Sequence, residues 1–206
     1  MVASRGLCDE LFPYAWSPDG SLVLFPSCEL VEPLARGKFA CSLVIADDRG
    51  GQRTEVVRDA EVSSVSWAPD GTAVAFRGTV GDETAKRLYV VDVDTRRLTS
   101  VVDRGGGDFA WTPDGRWLMY VRDGGGASGL WRVTPDGARR EKLLSRPGYT
   151  HVAVSPDGKY AAAVVGAAVG SQRGLDVIEL QDGILVHRFP GAVSSPDWRP
   201  RRARSG

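Results

Sequence analysis

The pentapeptide WSPDG occupies Trp16–Gly20, and three near-copies of it follow along the chain. WAPDG spans Trp67–Gly71, WTPDG spans Trp111–Gly115 and VSPDG spans Val154–Gly158. The residues that open these copies are 51, 44 and 43 positions apart, and a further 44 positions lead to Trp198. A period of this length is typical of one repeated supersecondary unit, and the blade of a β-propeller is an all-β unit of that size.

Each copy contains four strand-like runs, a to d, of which b is apolar at consecutive positions, as in Leu22–Phe25 and Trp117–Tyr120. Continuous apolar runs indicate strands that are buried on both faces, as in stacked blades. The sequence therefore predicts an all-β propeller of four-stranded antiparallel blades within a single domain, residues 1–206. The repeats are expected at residues 12–58, 63–102, 107–146 and 150–190, followed by the opening strand of a fifth copy at 193–198 and a frayed tail at 199–206.

The repeated pentapeptide has the chemistry of a tight turn between strands a and b. Proline sets φ at the second turn position, aspartate bonds to nearby backbone, and glycine adopts the positive φ that closes the hairpin. The tryptophan that precedes the turn is suited to packing between adjacent blades. We therefore interpret the four turn aspartates as architecture rather than as a metal site.

The W-[STA]-P-D-G turns, each followed by an apolar b strand and a c strand with an acidic ending, resemble the TolB-type β-propeller repeat. The same repeat is found in the propellers of the prolyl oligopeptidase and tricorn protease families, and the resemblance covers roughly residues 12–200. It implies binding of proteins or peptides, or gating of a protease that lies on a separate domain. Propellers of this type usually have six or more blades, whereas four repeats and an opening strand are present here.

The low blade count leaves two alternatives, a tightly closed ring of four blades or an incomplete ring. The strand at 193–198 favours an incomplete ring that is truncated or is completed by a second copy. In that case the end blades are expected to expose apolar faces, near Leu22 or Phe25 at one end and near Ile178 at the other.

Composition excludes several classes of protein. The 206 residues include 26 Lys and Arg and 26 Asp and Glu, so no net charge favours nucleic acid. No apolar run approaches the roughly 20 residues of a membrane span, and the first ten residues lack the apolar core of a signal peptide. The sequence as written predicts a cytoplasmic protein, with export as the alternative if it belongs to a longer chain. No motif predicts a cofactor or a metal.

The three cysteines, Cys8, Cys28 and Cys41, are interpreted as unpaired thiols. The alternative is a bond between Cys28 and Cys41, which flank one long loop and could approach each other across a hairpin. The predicted b–c loop of the first repeat, Pro26–Ala40, is the largest insertion.

Arginines recur in the predicted b–c and d–a connections, which share one face of a propeller. Arginine on a rigid scaffold is suited to bidentate binding of carboxylate or phosphate groups. The alternative is a solvated surface, because acidic residues are interspersed. The candidate binding residues of this face are Arg58, Arg77, Arg104, Arg122 and Arg146.

A second candidate group lies three residues before the end of each a strand, at positions expected to line the central channel: Pro13, Ser64, Asp108, His151 and Ser195. Serine, aspartate and histidine on successive blades suggest a catalytic triad, but the serines lack a G-x-S-x-G elbow and blades hold equivalent residues apart. We interpret Asp108 and His151 as polar groups hydrated by channel water.

The leading function prediction is a non-catalytic binding or scaffold propeller for a protein or peptide. The alternative is a gating or accessory propeller of a serine peptidase or other hydrolase whose catalytic part is absent from this chain. Catalysis within the propeller itself ranks third.

Overall fold

The computed structural model describes residues 13–32, 38–103, 106–122, 124–166 and 173–191, together with Pro196 and Trp198. Across these residues the regular structure consists of sixteen β-strands and one short 3₁₀ turn, Gly125–Ala127. The strands form four separate four-stranded antiparallel sheets, each built from consecutive strands. This confirms the predicted fold class, a β-propeller of four-stranded blades. The chain divides into two compact units, residues 1–104 and 105–206, each with two blades.

Unit 1 contains blades 1 and 2. The strands of blade 1 are β1 (Ala15–Trp16), β2 (Leu22–Glu32), β3 (Lys38–Asp47) and β4 (Arg53–Val57). Those of blade 2 are β5 (Ala60–Trp67), β6 (Ala73–Val80), β7 (Arg87–Asp92) and β8 (Leu98–Val102).

Unit 2 contains blades 3 and 4. The strands of blade 3 are β9 (Gly106–Trp111), β10 (Leu118–Arg122), β11 (Gly129–Val133) and β12 (Arg140–Leu144). Those of blade 4 are β13 (Tyr149–Val154), β14 (Tyr160–Val165), β15 (Gly174–Glu179) and β16 (Leu185–Pro190). In each unit the a–b and c–d turns lie at one end of the blades, which we call the turn end, and the other connections lie at the loop end.

The repeated pentapeptide forms the turn that the sequence predicts. In blade 1 the Asp19 carboxylate accepts hydrogen bonds from Ser17 Oγ at 2.6 Å and from Ser21 N at 3.1 Å. These bonds hold the pKa of Asp19 below its usual value, and the bond from Ser17 has the largest effect. The four turn glycines all adopt positive φ, between 69° and 74°: Gly20, Gly71, Gly115 and Gly158.

Apolar residues of both blades form the core of unit 1. Leu24, Leu43 and Ile45 of blade 1 pack in one cluster with Val74 and Phe76 of blade 2. This is the pattern expected of strands whose faces are covered by a neighbouring blade.

Tryptophan joins the two blades of unit 1 at the a strands. Trp67 is buried, and its Nε1 donates a hydrogen bond to the backbone oxygen of Ala15 at 3.0 Å. Trp16, at the same position of blade 1, is 52% exposed. The tryptophan before the turn is therefore an anchor residue, one that is buried and hydrogen-bonded to the preceding blade when such a blade lies beside it.

The prediction of a long loop at Pro26–Ala40 is wrong for those of its residues that the structure describes. Strands β2 and β3 continue past Pro26 and pair as far as Glu32 and Lys38. Cys28 and Cys41 lie directly opposite each other and form a disulfide, so the interpretation as unpaired thiols is also wrong for this pair. The physical reason is the antiparallel register, which places Cys28 directly opposite Cys41 on the paired strands. Cys8 lies outside the described residues.

The core of unit 2 is formed by Met119, Val121 and Leu130 of blade 3 with side chains of blade 4 that include Val165 and Ile178. Beyond blade 4, Trp198 Nε1 donates to the backbone oxygen of Ala153 at 3.3 Å. Trp67 makes the equivalent bond to Ala15 in unit 1. Trp198 therefore occupies the anchor position that the sequence assigns to a fifth copy of the repeat.

Candidate functional site

The structure places four of the five candidate arginines. Arg58 is exposed and pairs with Glu55. Arg77 is half-buried, and its Nε has no hydrogen-bond partner among the residues described. Arg122 lies 6.0 Å from the ring centroid of Trp131. Arg104 lies outside the described residues, and Arg146 belongs to a charged cluster that is treated below.

Asp108 and His151 lie on neighbouring a strands of unit 2 but bond to different groups. Asp108 Oδ2 accepts a hydrogen bond from the backbone nitrogen of Val152 at 3.1 Å, which ties blade 3 to blade 4. The His151 ring is exposed, with Nδ1 3.1 Å from Thr150 Oγ1. Ser64 belongs to unit 1, and Ser195 lies outside the described residues. The described geometry thus gives Asp108 the role of an inter-blade brace.

A buried charged cluster is the most unusual feature of unit 2. The Asp176 carboxylate on β15 is fully buried and accepts a hydrogen bond from Tyr149 Oη at 2.8 Å. Arg188 binds it through two nitrogens, with Nε 2.7 Å from Oδ1 and Nη2 3.2 Å from Oδ2. Arg146 completes the cluster, with Nη1 3.4 Å from Oδ2. We call Asp176, Tyr149, Arg146 and Arg188 the Asp176 cluster.

Local sequence explains why the cluster fits inside the fold. Asp176 pairs in register with Ala163, whereas the corresponding pair of blade 2 is Tyr89 with Phe76, two stacked rings 5.0 Å apart. The small Ala163 leaves volume that the side chains around Asp176 can fill. Because an isolated buried carboxylate is very costly, its three partners are a condition of its burial.

Two arginines share one carboxylate, so the Asp176 cluster carries a net positive charge. The Nε atom of Arg146 is buried and has no hydrogen-bond partner among the residues described. Burial, followed by the hydrogen bond to Asp176, raises the pKa of Tyr149, which stays protonated as a donor. The cluster is thus a fixed set of N–H and O–H donors at the loop end of blade 4.

A cleft of about 620 Å³ lies between blades 3 and 4 at the turn end of unit 2. Arg132 forms part of its wall, 4.5 Å from the ring centroid of Trp117, and its Nε donates to Glu141 Oε2 at 2.7 Å. Its Nη1 also donates to the backbone oxygen of Leu180 at 3.2 Å. Arg132 therefore connects blade 3 to blade 4. At the equivalent register position blade 1 has the aliphatic Ile45.

Sequence reasoning identified Arg146 but missed Asp176 and Arg188. A signal was available, because Asp176 interrupts the apolar c strand LDVIEL at a position where the other blades carry Val44, Tyr89 and Trp131. A charge in the middle of a buried strand indicates a partner of opposite charge. Among the residues described, no group of three or more His, Cys, Asp or Glu is arranged to hold a metal ion.

Comparison with known proteins supports the fold. No protein-family model matches the chain. An uncharacterised protein of Agrobacterium fabrum, Atu1656, is 27% identical over 199 residues, which cover 89% of this chain and 64% of that protein. The chain therefore spans just under two thirds of this relative.

Solved propeller structures resemble the chain at low sequence identity. TolB from Acinetobacter baumannii matches with a TM-score of 0.65 at 21% identity, covering 90% of this chain and 45% of that one. Oligogalacturonate lyase from Vibrio parahaemolyticus matches with a TM-score of 0.63 at 18% identity, covering 84% of this chain and 53% of that one. The propeller domain of the Trilobed protease from Pyrococcus furiosus matches with a TM-score of 0.57 at 14% identity, covering 82% of this chain and 55% of that one. The resemblance to TolB-type propellers is confirmed as a likeness of fold, and these neighbours have diverse functions.

Proposed function

We propose that the chain is a non-catalytic, partner-binding part of a propeller that presents the loop ends of its blades to a protein or peptide. The single observation that carries the proposal is the Asp176 cluster, where two arginines are fixed on a rigid blade at a loop end. Binding residues are commonly held on loops and strand ends by such a scaffold. Asp108 and His151 bond to different partners rather than to each other, which favours binding over hydrolysis.

The turn ends are less suited to a partner because their carboxylates are already used. Asp114 accepts from Thr112 Oγ1 at 2.6 Å, and Asp157 accepts from Ser155 Oγ at 2.6 Å. At the loop ends, by contrast, Arg122 and Arg146 retain donors that an acidic surface would match.

Cross-linking capture from an extract of the source organism tests the proposal. Arg58→Gln and Arg122→Gln change loop-end arginines outside the Asp176 cluster, and Arg116→Gln, 81% exposed at the turn end, is the matched control. We expect the wild type and the control to capture the same partner and the loop-end variants to capture less. Equal recovery by all four proteins would reject the loop ends of both units as binding surfaces. A captured peptidase would instead support the gating alternative.

We also propose that the protein works in an oxidising compartment, which favours the export alternative over the cytoplasm. The Cys28–Cys41 disulfide supports this, because disulfides persist mainly in exported proteins. Among the described residues, no helix is long and apolar enough to cross a membrane. Thiol labelling of protein taken from the native host should modify neither Cys28 nor Cys41. Labelling of both would contradict the proposed compartment.

A further inference from the structure

The Asp176 cluster holds more positive charge than its own geometry requires. One carboxylate neutralises one guanidinium, yet two arginines lie within 3.4 Å of Asp176. Arg188 uses Nε and Nη2 on Asp176, and its Nη1 makes no hydrogen bond to the described part of the chain. The buried Nε of Arg146 is likewise without a partner there. The two arginines therefore hold more N–H donors than the Asp176 carboxylate accepts.

The surroundings of the cluster reinforce its charge. The loop end of unit 2 also carries Arg122, Lys142 and the exposed Arg173. Lys142 Nζ donates to Gly126 O at 3.0 Å, which fixes that charge beside the b–c connection of blade 3. Over the described residues, the acidic side chains at this end are Asp108 and Asp176, and both already accept hydrogen bonds. Among the described side chains named at this end of unit 2, five cations stand against two carboxylates, so an approaching anion meets a net positive charge.

Their accessibility and their fixed orientation make the two arginines suitable as a prepared site. The Arg146 side chain is 20% exposed and that of Arg188 is 43% exposed, so both remain in part accessible. Asp176 fixes the orientation of both guanidinium groups before any ligand arrives. Fixed donors of this kind lose little conformational entropy on binding.

We propose that Arg146 and Arg188 bind a side-chain carboxylate of an acidic peptide segment, and that Asp176 and Tyr149 position the two guanidinium groups. This inference rests on the proposed function and specifies the chemistry of the partner. Guanidinium forks match the planar carboxylate with two hydrogen bonds. The acidic segment then supplies the second negative charge that the cluster lacks.

Isothermal titration with an acetylated and amidated hexaglutamate peptide tests the inference, with the matching hexaglutamine peptide as the neutral control. The variants are Arg188→Gln, Arg188→Lys and the turn-end control Arg116→Gln. We expect wild type and Arg116→Gln to bind hexaglutamate in preference to hexaglutamine. Arg188→Gln should bind about tenfold more weakly or worse, since it loses a charge-assisted contact. Arg188→Lys should recover part of the affinity, because the charge returns without the fork.

Three outcomes would overturn the inference: equal binding of hexaglutamate and hexaglutamine, Arg188→Gln within about twofold of wild type, or an equal loss in Arg116→Gln. If Arg188→Gln does not fold, nuclear magnetic resonance of the wild type replaces it. Hexaglutamate should then shift the arginine Nε–H signals of Arg146 and Arg188, and unchanged signals would reject the site.

The capture experiment separates this inference from the proposed function. A partner lost from Arg122→Gln while hexaglutamate fails to bind would leave the proposed function standing and reject the carboxylate site. Binding of hexaglutamate that depends on Arg188, with no partner captured through the loop ends, would support the site and reject the wider proposal.

Discussion

The interface between blades 1 and 2 and the interface between blades 3 and 4 are built from the same repeat but bury different chemistry. In unit 1, Phe76 stacks on Tyr89 within an apolar cluster. In unit 2, the equivalent positions hold Ala163 and the fully buried Asp176 with its arginines. The strand frame is the same in both, so the frame does not require the charges. The difference indicates that fold and binding chemistry are carried by separate residues of the repeat.

The two interfaces should also differ in what they contribute to stability. Apolar burial stabilises a fold by roughly 25 cal/mol per Å² of surface removed from water. A buried ion pair costs desolvation that its Coulomb attraction only partly offsets, and apolar replacements are often neutral or stabilising. We therefore expect the removal of one charged side chain of the Asp176 cluster to lower the unfolding free energy strongly. Replacement of all its polar side chains by apolar ones should lower it little or not at all.

Removal of the shared carboxylate should have the largest effect. In Asp176→Ala, Tyr149 and two arginines lose their acceptor inside unit 2. We expect a loss of about 3–5 kcal/mol in unfolding free energy, because the arginine charges remain in the interface without compensation. Urea denaturation measures it, with the turn variant Asp157→Asn as control. A loss below about 1 kcal/mol would mean that water compensates the charges and that the cluster is not buried as described.

The tryptophan anchor of unit 1 gives the next largest effect. Trp67→Phe removes a bond to Ala15 and part of a buried ring, so we expect a loss of about 1–3 kcal/mol. Trp16→Phe changes the same repeat position where it is exposed, and we expect a change within about 0.5 kcal/mol. Both variants are compared by urea denaturation. Similar losses would show that exposure does not separate the two positions.

A glycine in the turn of blade 3 should have a smaller effect. Gly115 has φ 69°, a conformation that alanine adopts only with strain, so Gly115→Ala should cost about 1 kcal/mol. Gly126 lacks a positive φ, and a Cβ there would meet no atom within 4 Å, so Gly126→Ala is the matched control. Thermal unfolding compares the two. A neutral Gly115→Ala would contradict the turn assignment.

The turn aspartates should give the smallest effect, a pH dependence. Hydrogen bonds from Ser155 and then from the Lys159 backbone hold the pKa of Asp157 below its usual value. A lowered folded pKa means that this contribution is complete above the unfolded value and is lost as the pH falls through the folded value. The stability difference between wild type and Asp157→Asn should therefore be constant at neutral pH and shrink as the pH falls below about 5. A constant difference would exclude this linkage.

Local sequence patterns were sufficient to predict the frame of the fold. The turn glycines, the aspartates that bond to neighbouring backbone and the doubly buried b strands depend on adjacent residues, and each is confirmed. Trp67 also occupies the inter-blade position that its size suggests. These features repeat, so each copy of the motif supports the interpretation of the others.

Features that break the repeat could not be predicted in the same way. The long hairpin of β2 and β3 depends on cross-strand register, which pairs residues far apart along the chain and which local sequence does not show. An exposed apolar face was expected near Ile178; Ile178 itself is fully buried in the core of unit 2, and the exposed residues begin on the neighbouring strand, where Leu185 pairs with it. The exposed apolar residues of blade 4 lie on or beside β16 instead: Ile184, Leu185, Val186 and Phe189. Which face of a blade a residue occupies follows from register, and one step in register reverses it.

The central claim is that the Asp176 cluster is kept for binding rather than for stability. The triple variant Arg146→Met, Asp176→Leu, Arg188→Met is made in a Tyr149→Phe background, so that no buried hydroxyl loses its acceptor. It replaces all three charges with apolar side chains, and its unfolding free energy and hexaglutamate affinity are measured on one preparation. We predict an unfolding free energy equal to or above that of the wild type, by up to about 4 kcal/mol, together with loss of hexaglutamate binding. An unfolded or strongly destabilised triple variant, or one that still binds hexaglutamate as wild type does, would contradict the account.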